Sequence, residues 1–223
     1  MNARYTKLLV LIITIIILYK TFHYFQLTED GNIEEEIEDI GKVTVSVHYE
    51  ALCPDSKFFI SHQLLPTYRD LTKFISLDLI PYGKAQTIEN DNEIEFHCQH
   101  DAIECFANKI HACVIEKINE PLVQLEYITC MIKDNHIPDE AGEKCGRSLN
   151  LDYSPISECA SNAEGSKLLK KHGERTNSLN PPVKFIPTIE LNGSQNLVSQ
   201  PQILKDLKSA LCTVLNYKPS KCS

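Results

Sequence analysis

The sequence predicts an α/β domain that opens with a strand, a helix and a second strand and carries a disulfide-rich helical insertion. Three observations predict it. Val43, Val45, Val47 and Tyr49 alternate with Thr44, Ser46 and His48, and Phe74 to Ile80 alternates again after a helical stretch; a period of two reads as strand. Six of the nine cysteines fall between Cys98 and about Ala160, where the apolar spacing is helical. The chain closes with Ile203, Leu204, Leu207, Leu211, Val214 and Leu215 at the spacing of one amphipathic helix.

Ahead of that domain, residues 1–27 read as a signal peptide or signal anchor. Arg4 and Lys7 precede an apolar run, Leu8 to Leu18, whose length suits a signal-peptide core better than a span of about twenty residues. Tyr19 to His23 offers no small-x-small cleavage site, so retention as an anchor stays open. Bases before the run and acids after it would then leave the body outside the cytosol. Residues 28–41 are acidic and nearly free of aromatics, the composition of a solvated linker. The folded domain is expected over 42–223, with the insertion at about 98–160. A net charge of −8 and the lack of a basic stripe exclude a nucleic-acid surface.

Each element follows from local chemistry. Beyond Cys53, the apolar residues Phe58, Phe59, Ile60, Leu64 and Leu65 predict a helix that Pro66 interrupts, since proline has no N–H to donate. Strand, helix, strand is the connection that makes a parallel pair. The insertion begins at Asp101-Ala102-Ile103-Glu104, a capping-box spacing, with Ile103, Phe106, Ile110, Cys113 and Val114 on one face. Pro121, Pro138 and Pro155 cut the rest into short pieces. A helix is expected over Ala163 to Glu174, then a polar loop with Asn180-Pro181-Pro182. Phe185 to Gly193 reads as a strand ending in a hairpin turn, because Asn192-Gly193 supplies positive φ. A short strand, Asn196 to Ser199, should follow before the last helix.

Nine cysteines in an exported chain imply disulfides, and an odd number leaves one over. Metal is set aside: no Cys-x-x-Cys pair occurs, and Cys98-x-His100 is a weak spacing. Cys53 stands where a strand gives way to a helix whose first residue is Pro54, the position at which a missing N–H costs nothing. Only the thiolate attacks a disulfide, and a helix N-terminus is among the settings that favour it. By spacing alone, Cys53 reads first as one more bridge partner. Pro187 inside a strand pattern needs a reason: either a cis Ile186–Pro187 bond that turns the backbone toward the thiol and offers Ile186 to an extended substrate, or an edge position. His48 and His62 are expected on solvated faces. Asn192-Gly193-Ser194 fits an N-glycan acceptor in an exposed turn.

Tyr49-Glu50-Ala51-Leu52-Cys53-Pro54-Asp55-Ser56 and the run from Cys98-Gln99-His100-Asp101 through Glu104-Cys105 and Asn108 to Cys113 resemble the gamma-interferon-inducible lysosomal thiol reductase family. Asn180-Pro181-Pro182, Pro187 and Asn192-Gly193 match as well. The resemblance spans about Lys42 to Cys222. It implies a thioredoxin-like fold, reduction of protein disulfides without a bound cofactor, disulfide-containing protein substrates, and a lysosomal or secreted location, with membrane attachment only if the N-terminal segment is retained. It leaves eight cysteines for four structural bridges and Cys53 free. His100, Glu104 and Asn108 are expected to cap and bond locally to backbone, the alternative being a place near the substrate groove.

Two positions depart from the family pattern. Asp101 replaces a glycine; both are accepted N-caps, so the change is expected to be silent. Ser56 replaces the second cysteine, and a serine cannot resolve a mixed disulfide. Its hydroxyl is expected to bond the Cys53 thiolate. Three functions then compete: a monothiol reductase that relies on an external small thiol, a disulfide exchanger without net reduction, and a catalytically impaired binding domain.

Overall fold

The computed structural model describes residues 11–24, 41–90, 93–216 and 219–222. Most of the expected acidic linker, and much of the targeting segment, lies outside the described residues. The chain forms two compact units, Met1–Lys42 and Val43–Ser223. Residues 11–24 of the first are helical with exposed apolar side chains, and among the described residues no helix is long and apolar enough to cross a membrane.

The second unit is built on a three-stranded sheet in the order β2–β1–β5. Strand β1 (Val43–Tyr49) pairs in parallel with β2 (Ile75–Pro81) and antiparallel with β5 (Thr188–Leu191). Between β1 and β2 the chain runs through α1 (Pro54–Phe59), a π-helical turn (Ile60–Leu64) and α2 (Leu65–Leu71). Pro66 therefore does not interrupt the helix as expected. It sits in the first turn after the wider π turn, where the hydrogen bond it cannot donate is not required.

As the central strand, β1 is covered on both faces, which explains why its nominally polar face is also buried. Val43, Val45, Val47 and Tyr49 enter the main core. His48, expected on a solvated face, is 1% exposed. Its ring meets Thr176 through Nδ1 at 3.0 Å and Glu190 through Nε2 at 3.3 Å. His62 is exposed and stacks on Phe58.

After β2 comes a hairpin that the sequence reading missed, β3 (Gln86–Asn90) and β4 (Glu93–His97), antiparallel and mostly exposed. The insertion then packs four helices: α3 (Asp101–Lys117), α4 (Pro121–Lys133), α5 (Pro138–Ser148) and α6 (Ser154–Ser161). The prolines that punctuate it each lie in a first helical turn. Three bridges, Cys98–Cys105, Cys113–Cys159 and Cys130–Cys145, staple this region to itself. Helix α7 (Ala163–Asn177), capped by Asn162 Oδ1 on Glu164 N at 2.8 Å, leads back toward the sheet.

The C-terminal part differs from expectation in three places. Strand β5 covers only Thr188–Leu191, because Phe185 to Pro187 turns rather than extends. The Asn192-Gly193 turn forms, with both φ values positive and Leu191 and Ser194 exchanging backbone bonds. No strand forms at Asn196–Ser199; pairing beyond the turn stops at the Leu191–Ser194 bridge. The final helix is two, α8 (Gln200–Lys205) and α9 (Leu207–Val214), because Asp206 leaves helical geometry and caps the second through Ser209 N. The bridge Cys212–Cys222 ties down the end.

Candidate active site

Strand β1 ends at Tyr49, and Glu50, Ala51 and Leu52 carry the chain over the end of the sheet to Cys53. This loop has no strand to pair with, so its amides need other acceptors. Glu50 N donates to Ser56 Oγ at 3.2 Å, Ala51 N to Asn108 Oδ1 at 2.9 Å, and Leu52 N to Glu104 Oε2 at 3.3 Å. Asn135 Nδ2 donates to Ala51 O at 3.4 Å from the turn after α4. Three consecutive N–H groups are thus held by buried side chains.

Cys53 is the N-cap of α1 with Pro54 directly after it, and Lys57 N closes on its carbonyl at 3.0 Å. The other eight cysteines are bridged and Cys53 is the free one, 8% exposed. Its Sγ lies 3.9 Å from Ile186 O, across from a cis Ile186–Pro187 bond. Beside it, Asp55, Phe58, Phe59, Phe185, Ile186, Pro187 and Leu204 line a groove of about 310 Å³. Phe58 and Phe185 form its exposed apolar lips.

Ser56 is fully buried, and its hydroxyl oxygen accepts from Glu50 N. The expected bond to the thiol is not made; the residue braces the loop instead. Of the three, Asn108 and Glu104 bond to the distant backbone of the Cys53 loop, Glu104 takes the local His100 N as well, and the His100 ring meets the carboxylates of Glu104 and Glu50 rather than backbone. Glu104 Oε1 accepts from His100 N at 3.1 Å, and Oε2 meets His100 Nδ1 at 2.6 Å. Asp101 does not cap α3: the N-cap is His100, and Asp101 adopts φ +65°.

Glu50, which sequence reasoning quoted without a role, is buried in the same cluster. Its Oε1 accepts from Lys84 N at 2.8 Å, and burial above all holds its carboxyl above the usual range, with Glu104 adding and the Lys84 amide opposing. Gly83, at φ +61°, has to be glycine here: a Cβ would fall 2.1 Å from Glu50 Cγ. Glu50, His100 and Glu104 bring three metal-type donor atoms within 4.8 Å of one another. Their oxygens are already engaged by amides of the chain. Asn135 carries no sequence signal at all, since its partner Ala51 is 84 residues away.

The gamma interferon inducible lysosomal thiol reductase family matches residues 44–149. A gamma-interferon-inducible lysosomal thiol reductase-like protein of Anopheles gambiae is 35% identical over 81% of this chain and 80% of its own length. The Mus musculus gamma-interferon-inducible lysosomal thiol reductase is 31% identical over 81% of this chain and 72% of its own. Among solved structures, the reduced form of the disulfide bond oxidoreductase DsbG from Mycobacterium tuberculosis superposes with a TM-score of 0.54 at 16% identity, covering 80% of this chain and 81% of that one. Chlamydia trachomatis DsbA does so at 0.52 and 15% identity, covering 73% and 86%. Those two likenesses concern the fold alone, which is thioredoxin-like with a helical insertion. The Cys53 loop and the insertion helices that grip it, α3 and α4, lie inside the matched residues, and the chain belongs to the gamma interferon inducible lysosomal thiol reductase family.

Proposed function

We propose that the protein reduces or exchanges disulfides of other proteins through Cys53 as a single thiol. The observation that carries this reading is a lone unbridged cysteine at a helix N-cap, facing Ile186 O across a cis proline, with Ser56 where a resolving thiol would stand. The Cys53 thiolate attacks a substrate disulfide, forms a mixed disulfide and releases one substrate thiol, which takes up a proton. An external small thiol then attacks the Cys53 sulfur and frees the second substrate thiol. A second small thiol restores Cys53 and leaves as the small disulfide, so two thiols are oxidised for each disulfide reduced. Ile186 and Pro187 shape the approach of an extended substrate along the apolar groove. No bound cofactor is required.

The family resemblance and the bridged cysteines support action in an oxidising export route, in the lysosome or outside the cell, with residues 1–27 as the targeting segment. Asn192 is exposed, and its Oδ1 is held by Thr44 N at 2.8 Å, which leaves Nδ2 as the atom a glycan would take.

Disulfide reduction at about pH 5 with an added small thiol tests the reading. Wild type should be active and Cys53→Ala inactive, while Ser56→Cys should need less external thiol. Equal rates for wild type and Cys53→Ala would remove the enzymatic reading. Activity confined to Ser56→Cys would favour a binding domain derived from an enzyme.

A further inference from the structure

We propose that Glu104 is a positioning residue for the Cys53 sulfur and that it acts within a cluster shared with Glu50 and His100. The inference rests on Cys53 being the reacting thiol. Leu52 N, one residue before Cys53, is fixed by Glu104 Oε2. The same carboxylate takes His100 N and faces His100 Nδ1, so three N–H groups converge on it. Only an acceptor fits there. Glu50 Oε2 lies 3.8 Å from His100 Nδ1, and Gln99, with its amide nitrogen turned inward, reaches Glu50 at 3.1 Å.

The charged groups facing this space come from four places. Glu50 comes from the loop after β1, Lys84 from the loop after β2, His100 from the N-cap of α3, and Glu104 from α3 itself. Two carboxylates sharing one buried space resist ionising together, and the nearest compensating group is an imidazole. A proton on Glu50, whose carboxyl is held above the usual range by burial with Glu104 adding, therefore relieves the crowding of charge beside Leu52 N. When that proton leaves, the two carboxylates repel within 4.8 Å, and Glu104 is pushed from the amide it holds. Cys53 is then best placed on the acid side of neutrality. Glu50 fills the space that the absent Cβ of Gly83 leaves open.

The test is the rate of Cys53 alkylation by iodoacetamide, a neutral reagent, from pH 4.5 to 8 in the full chain, with far-UV circular dichroism on each variant. Wild type should show two inflections, one from the thiol and one from the cluster. Glu50→Gln and His100→Gln should lose or move the second. Glu104→Gln, the same size but with an NH2 in place of one of the two accepting oxygens, leaves either His100 N or the Leu52 N and His100 Nδ1 pair facing a donor, and should react at least about ten-fold more slowly at pH 5. His100 lies at the rim and 39% exposed, so its variant should fold even if Glu104→Gln does not. Profiles of Glu50→Gln and His100→Gln that superpose on wild type overturn the proposal. A wild-type thiol unreactive at every pH removes the function proposed above and this inference with it; a reactive thiol with unaltered profiles removes this inference alone.

Discussion

At the scale of single residues, the informative position is Asp101. The family pattern has glycine there, and the sequence reading explained the exchange by N-cap preference. The structure gives a different reason, since φ is +65°, a region in which glycine is at ease and the short polar Asp is tolerated. Asp also places a negative charge in the first turn of α3, which opposes the cost of its Cβ. Asp101→Gly should therefore change stability by no more than about 0.5 kcal/mol, relief of strain being offset by a more flexible unfolded chain. Asp101→Val, β-branched and uncharged, should cost about 2 kcal/mol. Urea midpoints for the two variants check this, and a valine variant as stable as the parent would contradict the left-handed geometry. Ser56 shows the opposite lesson. Its loss of resolving chemistry was legible from the sequence, whereas its bond to Glu50 N depends on a loop path that no local pattern reveals.

At the scale of elements, the insertion is held by covalent links of very different reach. Cys113–Cys159 joins α3 to α6 across 46 residues of sequence, and both sulfurs are buried in the main core; Cys98–Cys105 closes a loop of 7 beside the hairpin. Loop-closure entropy gives about 4 kcal/mol for the longer link and about 2 kcal/mol for the shorter. Replacing Cys113 and Cys159 together by Ala should lower stability by about twice as much as replacing Cys98 and Cys105, as measured by denaturant titration. Equal losses would mean that local packing, not closure, sets the contribution. Strand, helix and insertion were legible because long periodic runs and first-turn prolines report them directly. The β3–β4 hairpin was not, since its apolar residues are few and mostly at the surface: Ile88 is 37% exposed. The break at Asp206 was hidden because the apolar spacing continues across it. At the site, Cys53 and Pro187 were legible from sequence grammar, while the grip of Glu104, Asn108 and Asn135 on the loop exists only once α3 and the turn after α4 reach the end of β1.

At the scale of the whole molecule, the core carries histidines that must stay neutral. His111 is wholly buried, with Tyr49 Oη at 3.2 Å from Nδ1, and burial drives its pKa down to about 3. Burial, with Arg175 adding, lowers His172 to about 4. In the unfolded chain both titrate near 6.5. The unfolded state then binds more protons than the native state below that value. For a base with a depressed native pKa, stability is full above the unfolded pKa and falls as pH drops toward the native one. Between pH 7.5 and 5 each histidine removes about 2 kcal/mol, together about 4 kcal/mol. Glu50, held above the usual carboxylate range, works in the other direction over the acid part of that window. In the acidic compartment proposed above this loss would need compensation, and the four bridges, at roughly 2 to 4 kcal/mol each, are of that size. Chemical denaturation at pH 7.5 and pH 5 should show the fall, and in His111→Gln the difference between the two pH values should shrink by about 2 kcal/mol whatever the variant's own stability. The difference isolates the proton, because packing lost at residue 111 affects both pH values alike. A variant whose pH difference matches the wild type's would show that His111 takes up its proton in the folded state, and the neutral buried pair with Tyr49 would have to be abandoned.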